Sequence, residues 1–188
     1  TSIATNSITD RNYTERRLAS LLEEYPDRKC KVYLLHGDMS DEQMTSLYQN
    51  DKIKALINIG HGEGYGLPIF EAAYNALPVV SVGWSGQLDF LTHKGKNMFA
   101  EVNYTLRPVQ QEAVWPGVIE KDSMWAYADQ GSYKMTLRKV KKEYAKYKRK
   151  AEKLKTIIEK DFTSETMFEQ FANHVLPDSS DTSGAVII

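Results

Sequence analysis

The sequence predicts an α/β fold built on a parallel, doubly wound sheet. Three observations carry that expectation. Short apolar runs at 31–37, 55–59, 78–82 and 97–102 alternate with stretches of helical periodicity. The segment 57–80, INIGHGEGYGLPIFEAAYNALPVV, reads as strand, glycine-rich loop, helix, tight turn and strand, the connection that joins parallel strands. At 188 residues the chain is also long enough to bury one core.

Taken in order, residues 1–7 are a short strand candidate and 8–12 a loop, with Asp10 placed to cap a helix over 13–25. Leu18, Leu21 and Leu22 form that helix's apolar stripe, and Pro26 ends it. Residues 31–37 (KVYLLHG) read as a second strand. A turn through Gly37, Asp38 and Met39 follows. Ser40 is then an N-cap with Gln43 at the capping-box position, opening a short helix faced by Met44, Leu47 and Tyr48.

Residues 55–59 (ALINI) look like a strand buried on both faces. Gly60, Gly62, Gly64 and Gly66 then alternate with other residues, and Pro68 is suited to the first position of a helix. This puts Glu71 in the first helical turn and Glu63 in the loop before it. A helix N-terminus carries roughly half a positive charge and several unpaired N–H donors, which suits phosphate. Carboxylates suit hydroxyl donors instead. Together they suit a ligand that carries both phosphate and sugar hydroxyls. At the helix's end, Asn75 is the residue expected to take the left-handed conformation, since Ala76 does so less readily.

Residues 78–82 form the next buried strand. The segment from Gly83 to Phe90 comes next, and 97–102 is the following strand. Residues 103–122 hold Pro108, Trp115, Pro116 and Gly117 and few regular signals, so an ordered loop packed on the domain is expected, followed by a helix start at 122–125. Residues 133–160 read as one long helix. Its seam is Leu137, Val140, Tyr144, Tyr147, Ala151, Leu154 and Ile158, and its opposite face is basic. Ser164 caps a last helix over 165–175 with Met167, Phe168 and Phe171 facing inward. Residues 177–188 form a flexible tail after a domain spanning 1–176.

The formal net charge is −1, which gives no global field toward nucleic acid or membrane. Cys30 is the single cysteine, so no intrachain disulfide forms, and a reducing, cytoplasmic setting is expected. The chain opens on Thr1 rather than Met, as an excised piece does, and shows no signal peptide. The basic helix over 134–160 offers a possible membrane surface, but its seam of tyrosines and an alanine does not favour that role.

Glu63-Gly64-Tyr65-Gly66-Leu67-Pro68, then Glu71-Ala72, then Leu77-Pro78-Val79-Val80 closely resembles the signature of retaining GT-B glycosyltransferases of family 4, whose core is two glutamates separated by seven residues. The resemblance implies the Rossmann-like C-terminal half of a GT-B fold with long C-terminal helices. It implies transfer of a sugar from a UDP- or GDP-linked nucleotide-sugar donor, with no resident cofactor and no metal. Glu71 would accept hydrogen bonds from ribose hydroxyls, and Glu63, catalytic together with Arg11, would face the donor sugar or stabilise positive charge developing in the transition state. The backbone N–H groups of Gly64, Tyr65, Gly66 and Leu67 would bind the pyrophosphate, with Arg11 neutralising it. Gly37 and Met39 would pack on the base. His61 is kept as a phosphate or sugar contact, and Trp84, Ser85 and Gly86 as pocket residues. No lysine stands where the family's second cation is usual, and Arg16 or Arg17 could reach in its place. The partners implied are the donor and an N-terminal acceptor-binding half that these residues do not contain, and no nucleic acid. The competing reading is a non-catalytic nucleotide-sugar-binding or scaffold module of the same fold. A third is a sugar-nucleotide epimerase or phosphorylase-type enzyme.

Overall fold

Serine 7, not Asp10, starts the first helix. Its hydroxyl accepts the Asp10 N–H at 3.2 Å, which satisfies an orphan donor one turn earlier than expected and lets the 8–12 segment join α1 (Ile8–Glu23). Asp10 lies inside the helix, where its carboxylate meets His36 Nε2 at 3.0 Å with both side chains largely covered. These positions come from a computed structural model that describes residues 7–176. The strand expected before Ser7 and the tail expected over 177–188 lie outside the described residues.

The chain divides into two units, Thr1–Met44 and Thr45–Ile188. In the first, Leu18 and Leu22 are half-buried and Leu21 is exposed. The strand expected over 31–37 is absent. Val32, Tyr33, Leu34 and Leu35 are exposed and, among the described residues, enter no ladder, and β-propensity alone does not make a strand. Ser40 and Gln43 form the expected capping box, with Ser40 N–H donating to Gln43 Oε1 at 2.9 Å and Gln43 N–H to Ser40 Oγ at 3.3 Å. It opens α2 (Asp41–Gln49).

The second unit holds the sheet. β1 (Leu56–Asn58), β2 (Val79–Val82) and β5 (Ala100–Val102) are parallel and hydrogen-bonded in that order, with Ile57 opposite Val80 and Ser81 opposite Glu101. The architecture is mixed α/β and compatible with a Rossmann-like fold. β2 is buried along its whole length because it is the central strand. Among the described residues β1 is an edge, so the expected burial on both faces does not hold there, and Ile57 is 44% exposed.

Between β1 and β2 runs α3 (Leu67–Tyr74), buried through Ile69, Ala72 and Ala73. Leu67 precedes Pro68, so the helix begins one residue earlier than expected and Glu71 falls in its second turn. Ala76, not Asn75, takes the left-handed conformation at φ 54°. Its N–H reaches Ala73 O at 3.0 Å and that of Leu77 reaches Ala72 O at 2.9 Å, a Schellman ending without glycine. A short helix α4 (Leu88–Leu91) and a hairpin of β3 (Thr92–His93) and β4 (Lys96–Asn97) lead into β5. Asn97 therefore belongs to the hairpin rather than to the expected 97–102 strand.

Residues 103–122 are not a simple loop. β6 (Tyr104–Pro108) pairs antiparallel with β7 (Met124–Ala128), and β7 replaces the helix start expected at 122–125. The expected long helix is two: α5 (Gln130–Lys142), capped by Asp129 Oδ1 on Ser132 N–H, and α6 (Tyr144–Asp161). Glu143 breaks the run with φ −108° and ψ 32°. The seam survives the break: Val140, Tyr147, Ala151, Leu154 and Ile158 are buried. Val140 and Tyr147 join Val80, Val82, Ala100 and Val102 in the core on one face of the sheet. Thr163, not Ser164, caps α7 (Ser164–Val175). Phe168 and Phe171 are 73% and 66% exposed rather than inward-facing, and Met167 is half-buried.

Candidate functional site

The two glutamates of the motif stand on the loop–helix connection that leaves the carboxyl end of β1, the end where parallel sheets present their ligand sites. Asn58, the last residue of β1, ties that end together. Its Oδ1 accepts the Gly60 N–H at 2.8 Å, and its Nδ2 donates to Glu63 Oε1 at 2.8 Å. The strand end thus fixes both the loop's first turn and the direction of the Glu63 carboxylate.

A second segment grips the same loop from β2. Ser85 Oγ donates to Glu63 O at 2.7 Å and accepts the Glu63 N–H at 3.1 Å, while Gly86 N–H donates to Glu63 O at 3.1 Å. Ser85 holds φ 82°, a left-handed conformation that a serine adopts at a cost. Gly86 lies so close that a Cβ there would overlap the carbonyl of Gly64. Glu63 is therefore held at its backbone by Ser85–Gly86 and at its side chain by Asn58.

Gly66 is the N-cap of α3 at φ 87° and offers no side-chain cap. Its carbonyl accepts Ile69 and Phe70 N–H, both at 2.9 Å. Among the described residues no hydrogen bond engages the N–H groups of Gly64, Tyr65, Gly66 or Leu67. They present donors at the positive end of the helix dipole. The Tyr65 ring packs on Phe70 and Phe90, with centroids 5.7 and 5.2 Å away, and stays 37% exposed. Burial first, and then the charge of Asp89, push its phenol up.

Glu71, exposed on α3, accepts a hydrogen bond from the Tyr48 hydroxyl at 3.1 Å. Tyr48 is buried on α2, and burial, then the Glu71 charge and the hydrogen bond to it, raise its pKa to about 12. It therefore stays protonated and donates. The site thus has two carboxylates, each held by a neutral donor, flanking a row of backbone N–H groups.

Arg11, Gly37 and Met39 belong to the first unit. Arg11 is exposed in the first turn of α1, Gly37 holds φ 132° and Met39 is half-buried. His61 does a structural job. Its Nδ1 lies 2.9 Å from Ala126 O, its carbonyl accepts the Ala126 N–H at 3.0 Å, and its ring stacks on Trp125 at 5.0 Å. Trp84 is half-buried against Tyr104 at 5.7 Å. Sequence reasoning missed Asn58 and Tyr48 and gave Ser85 a pocket role rather than a hold on Glu63. The available signal for Asn58 was an amide closing an apolar run. Tyr48 lay within the helix face already recognised. Among the described residues no group of three His, Cys, Asp or Glu side chains could hold a metal, and no helix is long and apolar enough to cross a membrane.

Part of the chain is similar to the serotype-specific mannosyltransferase WbdA of Escherichia coli. Three such relatives are each 40% identical to it over 63 residues, which is 34% of this chain and 7% of the relative. The chain thus matches only a small fraction of those proteins' length. No known family profile matches the chain, and no solved structure does.

Proposed function

We propose that this chain is the donor-binding half of a retaining glycosyltransferase with a GT-B fold. The observation that carries the proposal is the placement of Glu63 and Glu71 around backbone N–H groups that no hydrogen bond engages among the described residues, at the carboxyl end of β1. The partial similarity to a mannosyltransferase supports the same chemistry. On this reading the domain comprises residues 1–176, its sheet is one side of a doubly wound arrangement, and it works in the cytoplasm. The N–H groups of Gly64, Tyr65, Gly66 and Leu67 bind the donor's pyrophosphate. Glu71, steadied by Tyr48, accepts ribose hydroxyls. Glu63, steadied by Asn58, faces the sugar. The glycosidic C–O bond to the diphosphate breaks, the acceptor hydroxyl oxygen bonds the anomeric carbon with retention, and the hydroxyl proton passes to the leaving diphosphate. Stabilising the leaving diphosphate is electrostatic work that preorganised donors do well. The resemblance of the motif to the family assigns Arg11 to the pyrophosphate and Gly37 and Met39 to the base, and that part of the reading rests on the sequence. The acceptor is bound by a further domain, and the exposed Phe168 and Phe171 on α7 are the face offered to it.

The test is titration calorimetry with UDP, GDP, ADP and their sugar conjugates, mannose conjugates first. One nucleotide should bind, and Glu71→Ala should weaken it by about 1–3 kcal/mol, the worth of hydrogen bonds to a charged group. Arg11→Ala tests the cation separately. Binding without turnover, even when an acceptor domain is supplied, would favour the non-catalytic module instead. No binding by any nucleotide refutes the donor site.

A further inference from the structure

Charge is segregated along this chain. Residues 134–160 hold twelve Lys and Arg against three acidic residues, a net of +9, while the remainder nets −10. The structure shows where that charge goes. The seam of α6 faces the core through Tyr147, Ala151, Leu154 and Ile158, so it is unavailable to any outside surface. Lys148 is also turned inward, donating to Ala76 O at 2.9 Å, and Lys155 pairs with Glu159 at 3.6 Å. Lys139 and Lys142 on α5, then Lys146, Arg149, Lys153 and Lys160 on α6, are exposed at three-, four- and seven-residue steps. Such steps put them on the side of each helix away from the core.

The stripe continues across the break between the helices. Lys146 Nζ bonds Glu143 Oε2 at 3.0 Å, and the charges of Lys146, Lys139 and Lys142 all act on that one carboxylate, helping to hold it below the usual range. Three lysines thus share a single acid. From Lys146 to Lys160 the stripe is about 21 Å long at 1.5 Å per residue, and neighbouring charges lie within the roughly 10 Å Debye length at 0.1 M salt, so their fields add. Met135, one helical turn before Lys139 on the same side, is 69% exposed.

We propose that the outer face of α5 and α6 docks on a lipid bilayer that carries anionic headgroups. Residues 134–160 hold ten lysines and two arginines, compact point charges rather than the planar forks that read nucleic-acid phosphates and bases bidentately. The two tyrosines there are not free to stack on bases: Tyr147 is buried, and Tyr144 is half-buried beneath Lys54. A planar surface engages one face only and leaves the acidic remainder in water. The tyrosine- and alanine-bearing seam that argued against a membrane role in the sequence is irrelevant, because the opposite face makes the contact. No residue of the donor site lies in the stripe, so this inference stands apart from that reading.

The test is co-sedimentation of the 188-residue chain with phosphatidylcholine vesicles, with and without phosphatidylglycerol. Binding should require the anionic lipid and fall as salt rises. Replacing four charges together, Lys139→Gln, Lys142→Gln, Arg149→Gln and Lys153→Gln, should cut partitioning by at least about tenfold. Replacing exposed lysines elsewhere, Lys94→Gln, Lys96→Gln and Lys121→Gln, should leave it unchanged. Independently of whether the four-fold variant folds, Met135→Trp should show a blue-shifted emission on anionic vesicles. The proposal is overturned by equal binding to both vesicle types, by undiminished binding of a folded four-fold variant, by an unshifted tryptophan, or by tighter binding of duplex DNA than of vesicles at the same salt.

Discussion

Replacing Ser85 by glycine should harm the protein less than replacing it by alanine, and the difference measures how the glutamate loop is held. Both substitutions remove a hydroxyl that makes two hydrogen bonds to the Glu63 backbone, at 2.7 and 3.1 Å. At about 0.5–1.5 kcal/mol each, that loss comes to roughly 1–2 kcal/mol after allowing for the Gly86 bond that still serves Glu63 O. The two variants differ in backbone strain. At φ 82°, a side chain with a Cβ costs about 1–2 kcal/mol, which glycine relieves. Glycine's extra freedom in the unfolded chain takes back about 0.5–1 kcal/mol. Ser85→Gly should therefore be more stable than Ser85→Ala by roughly 0.5–1 kcal/mol, with both below the parent. Urea unfolding followed by circular dichroism reads this as a shift in midpoint at constant slope. Alanine equal to or above glycine would mean that the left-handed Ser85 does not exist in solution, and the hold on Glu63 would fall with it.

Other outcomes follow from the same geometry. Ala76→Gly should stabilise the chain by about 0.5–1 kcal/mol, because Ala76 occupies the left-handed position of the α3 ending; an unchanged urea midpoint would contradict that assignment. Gly86→Ala should destabilise by about 2 kcal/mol or more, since its Cβ would overlap the Gly64 carbonyl, and amide hydrogen exchange should show the loosening in the 60–66 loop before the sheet. The Tyr48 phenol, at about 12 in the folded chain against an ordinary 10, holds its proton where the unfolded chain has lost it. Its contribution is thus complete below about pH 10 and is lost as pH rises toward 12. Phenolate absorbance should show a tyrosine titrating at about 12 that disappears in Tyr48→Phe and titrates earlier in Glu71→Gln.

What the sequence disclosed and what it withheld divide along the range of the interactions. The Ser40–Gln43 capping box, the glycine loop, the placement of Glu63 ahead of α3 and the buried seam of α5 and α6 were legible, because each depends on residues within a turn or two. The pairing of β6 with β7 was not. Its partners lie some twenty residues apart, and an antiparallel ladder leaves no local trace when its strands are short and Pro108 interrupts the pattern. The 31–37 segment has strand-forming residues yet, among the described residues, no ladder, since a strand is a property of two segments, not one. The break at Glu143 was hidden because no glycine or proline marks it and the apolar seam continues across it. Phe168 and Phe171 gave α7 an apolar face, but periodicity cannot tell whether the chain's own core or something else covers that face.

The candidate site shows the same division within one loop. Sequence placed its two carboxylates, but a carboxylate 3 Å from a donor behaves differently from one free in solvent, and the donors arrive from elsewhere in the chain. Tyr48 precedes Glu71 by 23 residues, and Ser85 follows Glu63 by 22. Neither stands in the glutamate motif, yet each sets how one of its glutamates is presented. Removing Tyr48 or Ser85 should therefore weaken nucleotide binding while both glutamates remain in place. A chain that kept the motif and lost these two supports should keep the appearance of the site without its affinity.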